Sequence, residues 1–98
     1  MKNFNECCYS ILRKVPKGKV TTYKAIAKAL NTKAYRAVGN AMNKNPYAPE
    51  VPCHRVISSS GNVGGFASGT KKKTKMLKEE GIKIVKGKVD LTKYLYKI

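Results

Sequence analysis

The chain has 98 residues, and its hydrophobic share of 42% is ordinary for one small globular domain. Its 21 lysine and arginine residues against 5 acidic residues give a net charge of +16. No apolar run approaches the roughly 20 residues that cross a bilayer, and the N-terminus lacks the apolar core of a secretory signal, so neither a membrane span nor a signal peptide is expected.

The distribution of the positive charge indicates the kind of partner. Residues 1–50 carry ten basic and two acidic groups, and residues 51–98 carry eleven and three, so each half has a net charge of +8. A field spread over the whole domain attracts polyanions, nucleic acid first and anionic membrane second. A lysine-rich surface that serves solubility alone is the alternative. We predict a cytoplasmic, nucleoid-associated protein with no membrane partner.

The first half of the chain predicts three helices. Residues 4–15 have apolar positions at helical spacing, and Pro16-Lys17-Gly18 ends this segment. Thr21 or Thr22 can cap a second helix over residues 23–30. A third helix over residues 34–44 stops at Asn45-Pro46. Two short helices joined by a tight turn are the outline of a helix-turn-helix.

The third helix has two unlike faces at about 100° per residue. One face gathers small and apolar residues suited to close packing: Ala34, Ala37, Val38, Ala41 and Met42. The opposite, outward face carries Tyr35, Arg36, Gly39, Asn40 and Asn43. A glycine at the centre of an outward face costs roughly 1 kcal/mol relative to alanine. It is useful where the helix presses against a nucleic-acid backbone or enters a narrow groove, and an incidental glycine is the alternative.

The second half is irregular before it becomes helical again. Residues 53–57 predict a short strand or turn, residues 58–62 a turn, and residues 64–69 a glycine-flanked loop. Residues 71–81 predict a last helix with Met76 and Leu77 facing inward and Gly81 at its C-terminal end. The remainder predicts a short hairpin or an extended segment. The expected fold is therefore a mainly α, small helical domain with a winged-helix-like helix-turn-helix and a short C-terminal strand or extended segment.

Cys53 and His54 stand side by side and allow three interpretations: a metal site, a buried inert thiol, or a nucleophile. A metal site is disfavoured, because His54 is the only histidine and no Cys-x-x-Cys pair exists. A nucleophilic thiol needs a nearby base or positive charge, which His54 could supply through one water if Glu79 or Glu80 oriented it. From residue types alone, a buried inert cysteine is the commoner outcome.

A family resemblance favours the nucleophile. The segment PCHRVI, preceded by RAVGNAMNKNP and followed by SSSGNVGGF, resembles the DNA-binding domain of O6-alkylguanine-DNA alkyltransferases. The similarity begins near Phe4, continues through VPKGKVTTYKAIA and reaches LKEEG, so it covers roughly residues 4–81. It implies a single core domain over residues 1–98, without the N-terminal domain typical of the family and without a cofactor or metal.

The resemblance also implies roles for the residues around the thiol. Cys53 would accept the alkyl group from guanine O6 in an SN2 displacement. His54 would take the thiol proton through a water, with Glu80 orienting and charging the imidazole. Asn45 would link the recognition helix to the cysteine segment.

Further positions would hold the nucleotide. Tyr23 would hold the phosphate of the flipped nucleotide and face its base, while Arg36 would fill the gap left in the base stack. Val56 and the Ser59 region would line the base pocket through backbone groups, and Phe66 would lie on the lid. The recognition helix would enter the minor groove with its outward residues, which are Tyr35, Gly39, Asn40 and Asn43.

Some positions depart from the family pattern. Phe66 stands where a tyrosine is common, and Ala67-Ser68 replaces the more usual residues beside it. Tyr35 and Asn40 are bulkier than the small residues often found at those positions. The changes at residues 66–68 concern the lid and the size of alkyl adduct that it accepts. The changes at Tyr35 and Asn40 concern the fit of the helix in the DNA groove.

The function implied is DNA repair by direct reversal. After minor-groove binding and base flipping, the protein would transfer the alkyl group irreversibly, in a single turnover, from O6-alkylguanine in double-stranded DNA to Cys53. Two alternatives remain: a lesion-binding relative without chemistry, a class that lacks the acceptor cysteine, and a winged-helix regulator. We expect a monomer in solution and leave cooperative binding along DNA open.

Overall fold

The computed structural model describes residues 3–47, 50–63 and 70–98, and Thr70 by its backbone alone. Its first half contains the three expected helices: α1 (Phe4–Leu12), α2 (Tyr23–Ala29) and α3 (Tyr35–Asn43). Helix α1 begins where the Asn3 side chain accepts a hydrogen bond from the Glu6 N–H at 2.8 Å. Helix α2 begins at Thr22, whose hydroxyl accepts from the Ala25 N–H at 3.0 Å, so the predicted threonine cap is Thr22.

These three helices bury a shared apolar core. Its members from α1, α2 and α3 are Cys8, Tyr9, Leu12, Ile26, Ala27, Val38, Ala41 and Met42. The Tyr9 hydroxyl donates to the Ala41 carbonyl at 2.8 Å, which satisfies a buried polar group and ties α1 to α3. The packed face of α3 is narrower than its sequence predicted, because Ala34 precedes the helix and is exposed.

A two-stranded parallel sheet joins the two halves of the chain. Strand β1 (Thr21–Thr22) pairs with β2 (Val56–Ile57), with Thr21 opposite Val56 and Thr22 opposite Ile57. A 3₁₀ turn over Cys53–Arg55, here called the cysteine turn, leads directly into β2. The pairing fixes the cysteine turn, which precedes β2, relative to β1, and the turn also contacts α4.

The C-terminal part packs a second core against the sheet. It consists of α4 (Thr70–Glu79), an antiparallel hairpin of β3 (Ile84–Val85) and β4 (Lys88–Val89), and a short α5 (Leu91–Tyr94). Helix α4 ends at the predicted glycine, since Gly81 adopts a φ of +90°. The predicted hairpin is present, and α5 was not expected. Beyond α5 the chain lies along the edge of β1, where Val20 exchanges hydrogen bonds with Tyr94 and Tyr96 at 2.9 and 2.8 Å.

The hairpin also holds the turn that follows β2. The Val89 N–H donates to the Gly61 carbonyl at 2.8 Å, and the Val63 N–H donates to the Gly87 carbonyl at 2.9 Å. Gly61 has a φ of +92°, and a Cβ there would lie 2.8 Å from the Val89 carbonyl oxygen, so this close approach requires glycine.

The mainly helical fold with a helix-turn-helix is confirmed. Across residues 3–47, 50–63 and 70–98, none of the helices has the length and apolar character that a bilayer crossing requires. The glycine-flanked loop predicted over residues 64–69 lies outside the described residues.

Candidate active site

Cys53 is held at the start of the cysteine turn by a small hydrogen-bond network. Its side chain is buried in the main core, with 7% of the residue exposed. The Val51 carbonyl accepts both the Cys53 N–H at 2.9 Å and the Asn45 side-chain amide at 2.8 Å. The Asn45 side-chain carbonyl in turn accepts the Tyr47 N–H at 2.9 Å. Asn45 follows the end of α3, and its side chain binds the same Val51 carbonyl as the Cys53 N–H. It therefore connects the end of α3 to the cysteine turn, which is the link that the resemblance implied.

His54 and Glu80 meet although 26 residues separate them. Nε2 of His54 lies 2.9 Å from Oε2 of Glu80, and the histidine is buried. An ionised carboxylate only accepts hydrogen bonds, so Nε2 carries the hydrogen and Nδ1 is the ring nitrogen that can accept a proton. Of the two acidic residues considered at the end of α4, the structure selects Glu80, whereas Glu79 is exposed.

Arg55 completes this group and was missed in the sequence analysis. Its Nε donates to one Glu80 oxygen at 2.9 Å and a terminal nitrogen donates to the other at 2.7 Å, which is the strong forked geometry of an arginine–carboxylate pair. Its other terminal nitrogen donates to the Val15 carbonyl at 2.9 Å. Arg55 therefore fixes the carboxylate that contacts His54. Its position next to His54 in the sequence was the available signal.

The protonation states follow from burial and these contacts. Burial lowers the pKa of His54, the hydrogen bond that His54 donates to Glu80 opposes that effect, and the net pKa lies below its usual value. Partial burial alone would raise the pKa of Glu80, but the hydrogen bonds from Arg55 and His54 outweigh it and the net pKa is lowered. At pH 7 the site therefore combines a neutral imidazole with an ionised carboxylate, as a general base and its orienting group require.

Tyr23 lies beside the buried side chain of Lys73. The Lys73 ammonium lies 5.8 Å from the centre of the Tyr23 ring, and only 1% of the lysine is exposed. Burial raises the pKa of Tyr23, and negative charge on Cys53 would raise it further. Lys73 was missed because it stands in the lysine-rich run KKKTK. Its spacing of four residues before the inward-facing Leu77 was the signal that could have found it.

The outward face of α3 is open, as the sequence predicted. Tyr35 is 44% exposed, and Arg36, Asn40 and Asn43 are also exposed. A Cβ added to Gly39 would meet nothing within 4 Å, so internal packing does not require that glycine. Beside this face a groove of ≈ 340 Å³ runs between α2 and the start of α3, and its lining includes Lys24, Lys28 and Lys33.

The predicted base-pocket residues are in three different situations. Val56 is fully buried, and its N–H donates to the Cys53 carbonyl within the cysteine turn. Ser59 is exposed in the turn after β2, which is closed by a hydrogen bond from the Ser58 N–H to the Asn62 carbonyl at 3.0 Å. Phe66 lies outside the described residues, as do Ala67 and Ser68. The roles of these residues stay predictions.

The described residues contain no group of three or more His, Cys, Asp or Glu side chains arranged to hold a metal ion. Cys7, Cys8 and Cys53 are all free thiols. Burial raises the pKa of Cys8 to about 11, which keeps that thiol protonated at neutral pH. Of the three thiols, Cys53 is the one in the cysteine turn, next to His54 in sequence.

Comparison with known protein families matches the sequence to one family model. Residues 3–82 match the model described as 6-O-methylguanine DNA methyltransferase, DNA binding domain. The chain belongs to this family. A methylated-DNA–protein-cysteine methyltransferase of Sulfolobus acidocaldarius is 45% identical over 84 residues, which are 86% of this chain and 53% of that protein. The family implied by PCHRVI and its flanking motifs is therefore confirmed.

Solved structures of alkyltransferase relatives share the fold. A Mycobacterium tuberculosis OGT in complex with DNA has a TM-score of 0.77 and 37% identity, over 82% of this chain and 50% of that one. The Schizosaccharomyces pombe protein Atl1, in complex with damaged DNA containing O6-carboxymethylguanine, has a TM-score of 0.87 and 31% identity over the full length of both chains. Among the curated relatives the chain spans about half the length of the Sulfolobus protein and 30% of a bifunctional methyltransferase/endonuclease of Picrophilus torridus.

Proposed function

We propose that this protein binds duplex DNA carrying O6-alkylguanine and transfers the alkyl group irreversibly to Cys53. The observation that carries the proposal is the 2.9 Å contact between His54 and Glu80 beside the Cys53 thiol, with Arg55 fixing the carboxylate. Family membership supplies the substrate class. The chemistry needs an oriented, neutral base close to the thiol, and the contact of His54 with Glu80 supports that role for His54.

The transfer step balances as a displacement at carbon. The Cys53 thiol gives its proton to Nδ1 of His54 through a water, and Glu80 stabilises the imidazolium that forms. The thiolate sulfur then bonds to the alkyl carbon as the bond from that carbon to guanine O6 breaks. The electron pair leaves with the guanine, which takes a proton from solvent water, and the His54 imidazolium then returns its proton to solvent. The thioether on Cys53 is stable, so we propose that each molecule acts once.

DNA binding is assigned to the outward face of α3 and the lysines beside it. Arg36 and its exposed neighbours on α3 lie next to the groove formed by Lys24, Lys28 and Lys33. Lysines placed beside a recognition helix suit the phosphate backbone, so affinity should fall steeply with salt concentration. A stacked base cannot reach a buried thiol, so the target nucleotide must leave the helix at a cost of a few kcal/mol. We propose that Arg36 fills the gap and that Tyr23 faces the flipped nucleotide.

A second candidate function is lesion binding without transfer. The full-length similarity to Atl1, seen in complex with damaged DNA, favours it. Cys53 favours transfer instead, because the family's lesion-binding members lack the acceptor cysteine. We also propose that the domain works as a monomer in the cytoplasm, close to the nucleoid.

The test is to incubate the protein with a duplex containing O6-methylguanine and to analyse the peptide that carries Cys53 by mass spectrometry. The expected result is one added methyl group on Cys53, absent in the Cys53→Ala variant and retained in Cys7→Ala, a matched change of another free thiol. Tight binding to the lesion without the added methyl would support the lesion-binding function. Equal affinity for modified and unmodified duplex would support a regulator instead.

A further inference from the structure

The exposed side of α4 carries a strip of lysines that neither the core nor the candidate active site uses. At about 100° per residue, Lys71, Lys75 and Lys78 lie within about 60° of one another around the helix, and all three are exposed. We call these three residues the lysine face. It is turned away from Leu77, which is buried in the second core. Among the described residues the ion pairs are those of Glu80, so no carboxylate neutralises the lysine face.

The lysines of α4 stand where a helix does not favour them. The first turn has no acidic residue, and Lys71 and Lys72 add positive charge at the end of the helix where the dipole is already positive. Lys71 and Lys75, four residues apart, repel each other on one face. A surface that serves solubility alone can intersperse both signs of charge. Local conflicts of this kind are expected where a residue is kept for function, and a bound anion would relieve this one.

The length of the lysine face suits a strand of nucleic acid. A broad groove of ≈ 630 Å³ runs beside it, lined by all three lysines together with Thr74 and Glu79. The seven residues from Lys71 to Lys78 span about 10 Å of helix, and one DNA strand places a phosphate about every 3.4 Å along the duplex axis. Three lysines therefore match about three successive phosphates, which favours a DNA backbone over a single small anion.

The lysine face and the outward face of α3 belong to different sides of the domain. Successive residues of a strand point to opposite faces, and in β2 Val56 lies in the main core whereas Ile57 lies in the second core. The two cores therefore lie on opposite faces of β2. Helix α3 packs Val38 into the main core, and α4 packs Leu77 into the second core. Their exposed faces are thus turned away from the sheet on different sides.

We propose that the lysine face of α4 binds the phosphate backbone of a second DNA duplex while α3 holds the first. One molecule then bridges two DNA segments. Contacts to phosphates carry no sequence information, so the second duplex needs no lesion. The inference rests on the DNA binding by α3 proposed above, and it is independent of alkyl transfer to Cys53.

The test is a bridging assay with two unmodified duplexes, one labelled with a fluorescence donor and the other with an acceptor. Adding the protein should produce energy transfer, which should decline again when protein exceeds DNA, because each duplex then occupies a separate protein molecule. The α4 variant, with Lys71→Gln, Lys75→Gln and Lys78→Gln, should lose the energy transfer. Its matched control is the hairpin variant, which loses three charges at exposed positions of the C-terminal hairpin: Lys83→Gln, Lys86→Gln and Lys88→Gln.

The hairpin variant should keep bridging, and fluorescence anisotropy should show that both variants bind one duplex with similar affinity, because their net charges are equal. Three lysine–phosphate contacts also set the salt dependence of the bridge. The affinity of the unchanged protein for the second duplex should fall roughly 40-fold between about 50 and 200 mM salt, from a slope of about −0.9 per contact.

Thermal unfolding separates this role from a structural one. Because the substitutions remove repulsion on α4, the α4 variant should unfold at the same or a higher temperature while it loses bridging. If the α4 variant does not fold, the unchanged protein still provides a test. With duplex in excess, acetylation of the lysine face by acetic anhydride, followed by mass spectrometry, should decrease, whereas acetylation of Lys83, Lys86 and Lys88 should not.

Several results would overturn the inference: no energy transfer with the unchanged protein, bridging that persists in the α4 variant, equal losses in both variants, or acetylation of the lysine face that DNA leaves unchanged. The two proposals can fail separately. If Cys53 is methylated by lesion-bearing duplex but no bridging occurs, the proposed function stands and the second surface is wrong. If bridging depends on the lysine face but Cys53 is not methylated, alkyl transfer is wrong and the second surface stands.

Discussion

Replacing Gly39, at the centre of the outward face of α3, should change protein stability and DNA affinity in opposite directions. The residue lies within the helix, and a Cβ built on it meets nothing within 4 Å. Replacement by alanine therefore introduces no clash and removes the entropic cost of a helical glycine. The free energy of unfolding of Gly39→Ala should rise by about 1 kcal/mol. A stabilised protein is expected from this change whatever the helix binds.

DNA binding should respond in the opposite way if α3 lies against the duplex. The minor groove is only about 6 Å wide, so a methyl group on the contacting face would hold the helix away from it. We expect the affinity of Gly39→Ala for lesion-bearing duplex to fall about tenfold, or about 1.4 kcal/mol. Urea unfolding and fluorescence anisotropy measure the two effects on one preparation.

A matched control is Thr74→Ala on α4, which raises helix propensity at a position outside the proposed interface. It should gain stability without losing affinity. If Gly39→Ala gains stability and keeps full affinity, α3 does not approach DNA closely through this face. If Gly39→Ala loses stability, the placement of this residue on an open helix face is wrong.

The remaining predictions concern the site and its support. Glu80→Gln should cost about 2 kcal/mol of stability, because charged hydrogen bonds are lost, and should move the pH profile of thiol alkylation upward, whereas the exposed Glu79→Gln should do neither. Arg36→Ala should slow methyl transfer from duplex DNA far more than from free O6-methylguanine base, and equal losses would contradict its stack-filling role. Among the described residues the Thr21 hydroxyl is the one buried side-chain polar atom without a hydrogen-bond partner, so Thr21→Val should raise the free energy of unfolding by about 1 kcal/mol, and a loss would show that the hydroxyl is bonded. The pKa values of His54 and Glu80 are lowered in the folded protein, so protonation of either group destabilises the fold. The free energy of unfolding, measured with urea, should therefore fall as the pH drops below about 6.5, the ordinary pKa of histidine, and fall further below about 4.5, that of glutamate. A pH-independent free energy would contradict this.

The first half of the fold could be predicted because its signals are local. The hydroxyl of Thr22 caps α2, and Asn45-Pro46 follows the end of α3, as side-chain capping and the missing proline N–H require. The hairpin was predicted with less detail, and α5 was missed, because a four-residue helix carries no periodic pattern. Its place depends on pairing with Val20, which is distant in sequence.

The site was harder to predict because its charges act over long sequence separations. Glu80 could be assigned to His54 only through the family resemblance, since 26 residues separate them. Arg55 was overlooked because one sequence position does not show that its guanidinium turns back to the same carboxylate. Lys73 was overlooked because lysine runs are usually solvated, and its burial depends on how α4 packs against the cysteine turn.

The central claim is that Cys53 accepts one alkyl group and is then spent. It is tested most directly by adding an excess of duplex with a tritium-labelled methyl group on guanine O6 and counting the label bound to protein over time. We expect a rise to one methyl group per protein molecule, all on Cys53, with no further transfer. Continued removal of methyl groups from DNA beyond one equivalent, or label on any other residue, would contradict it.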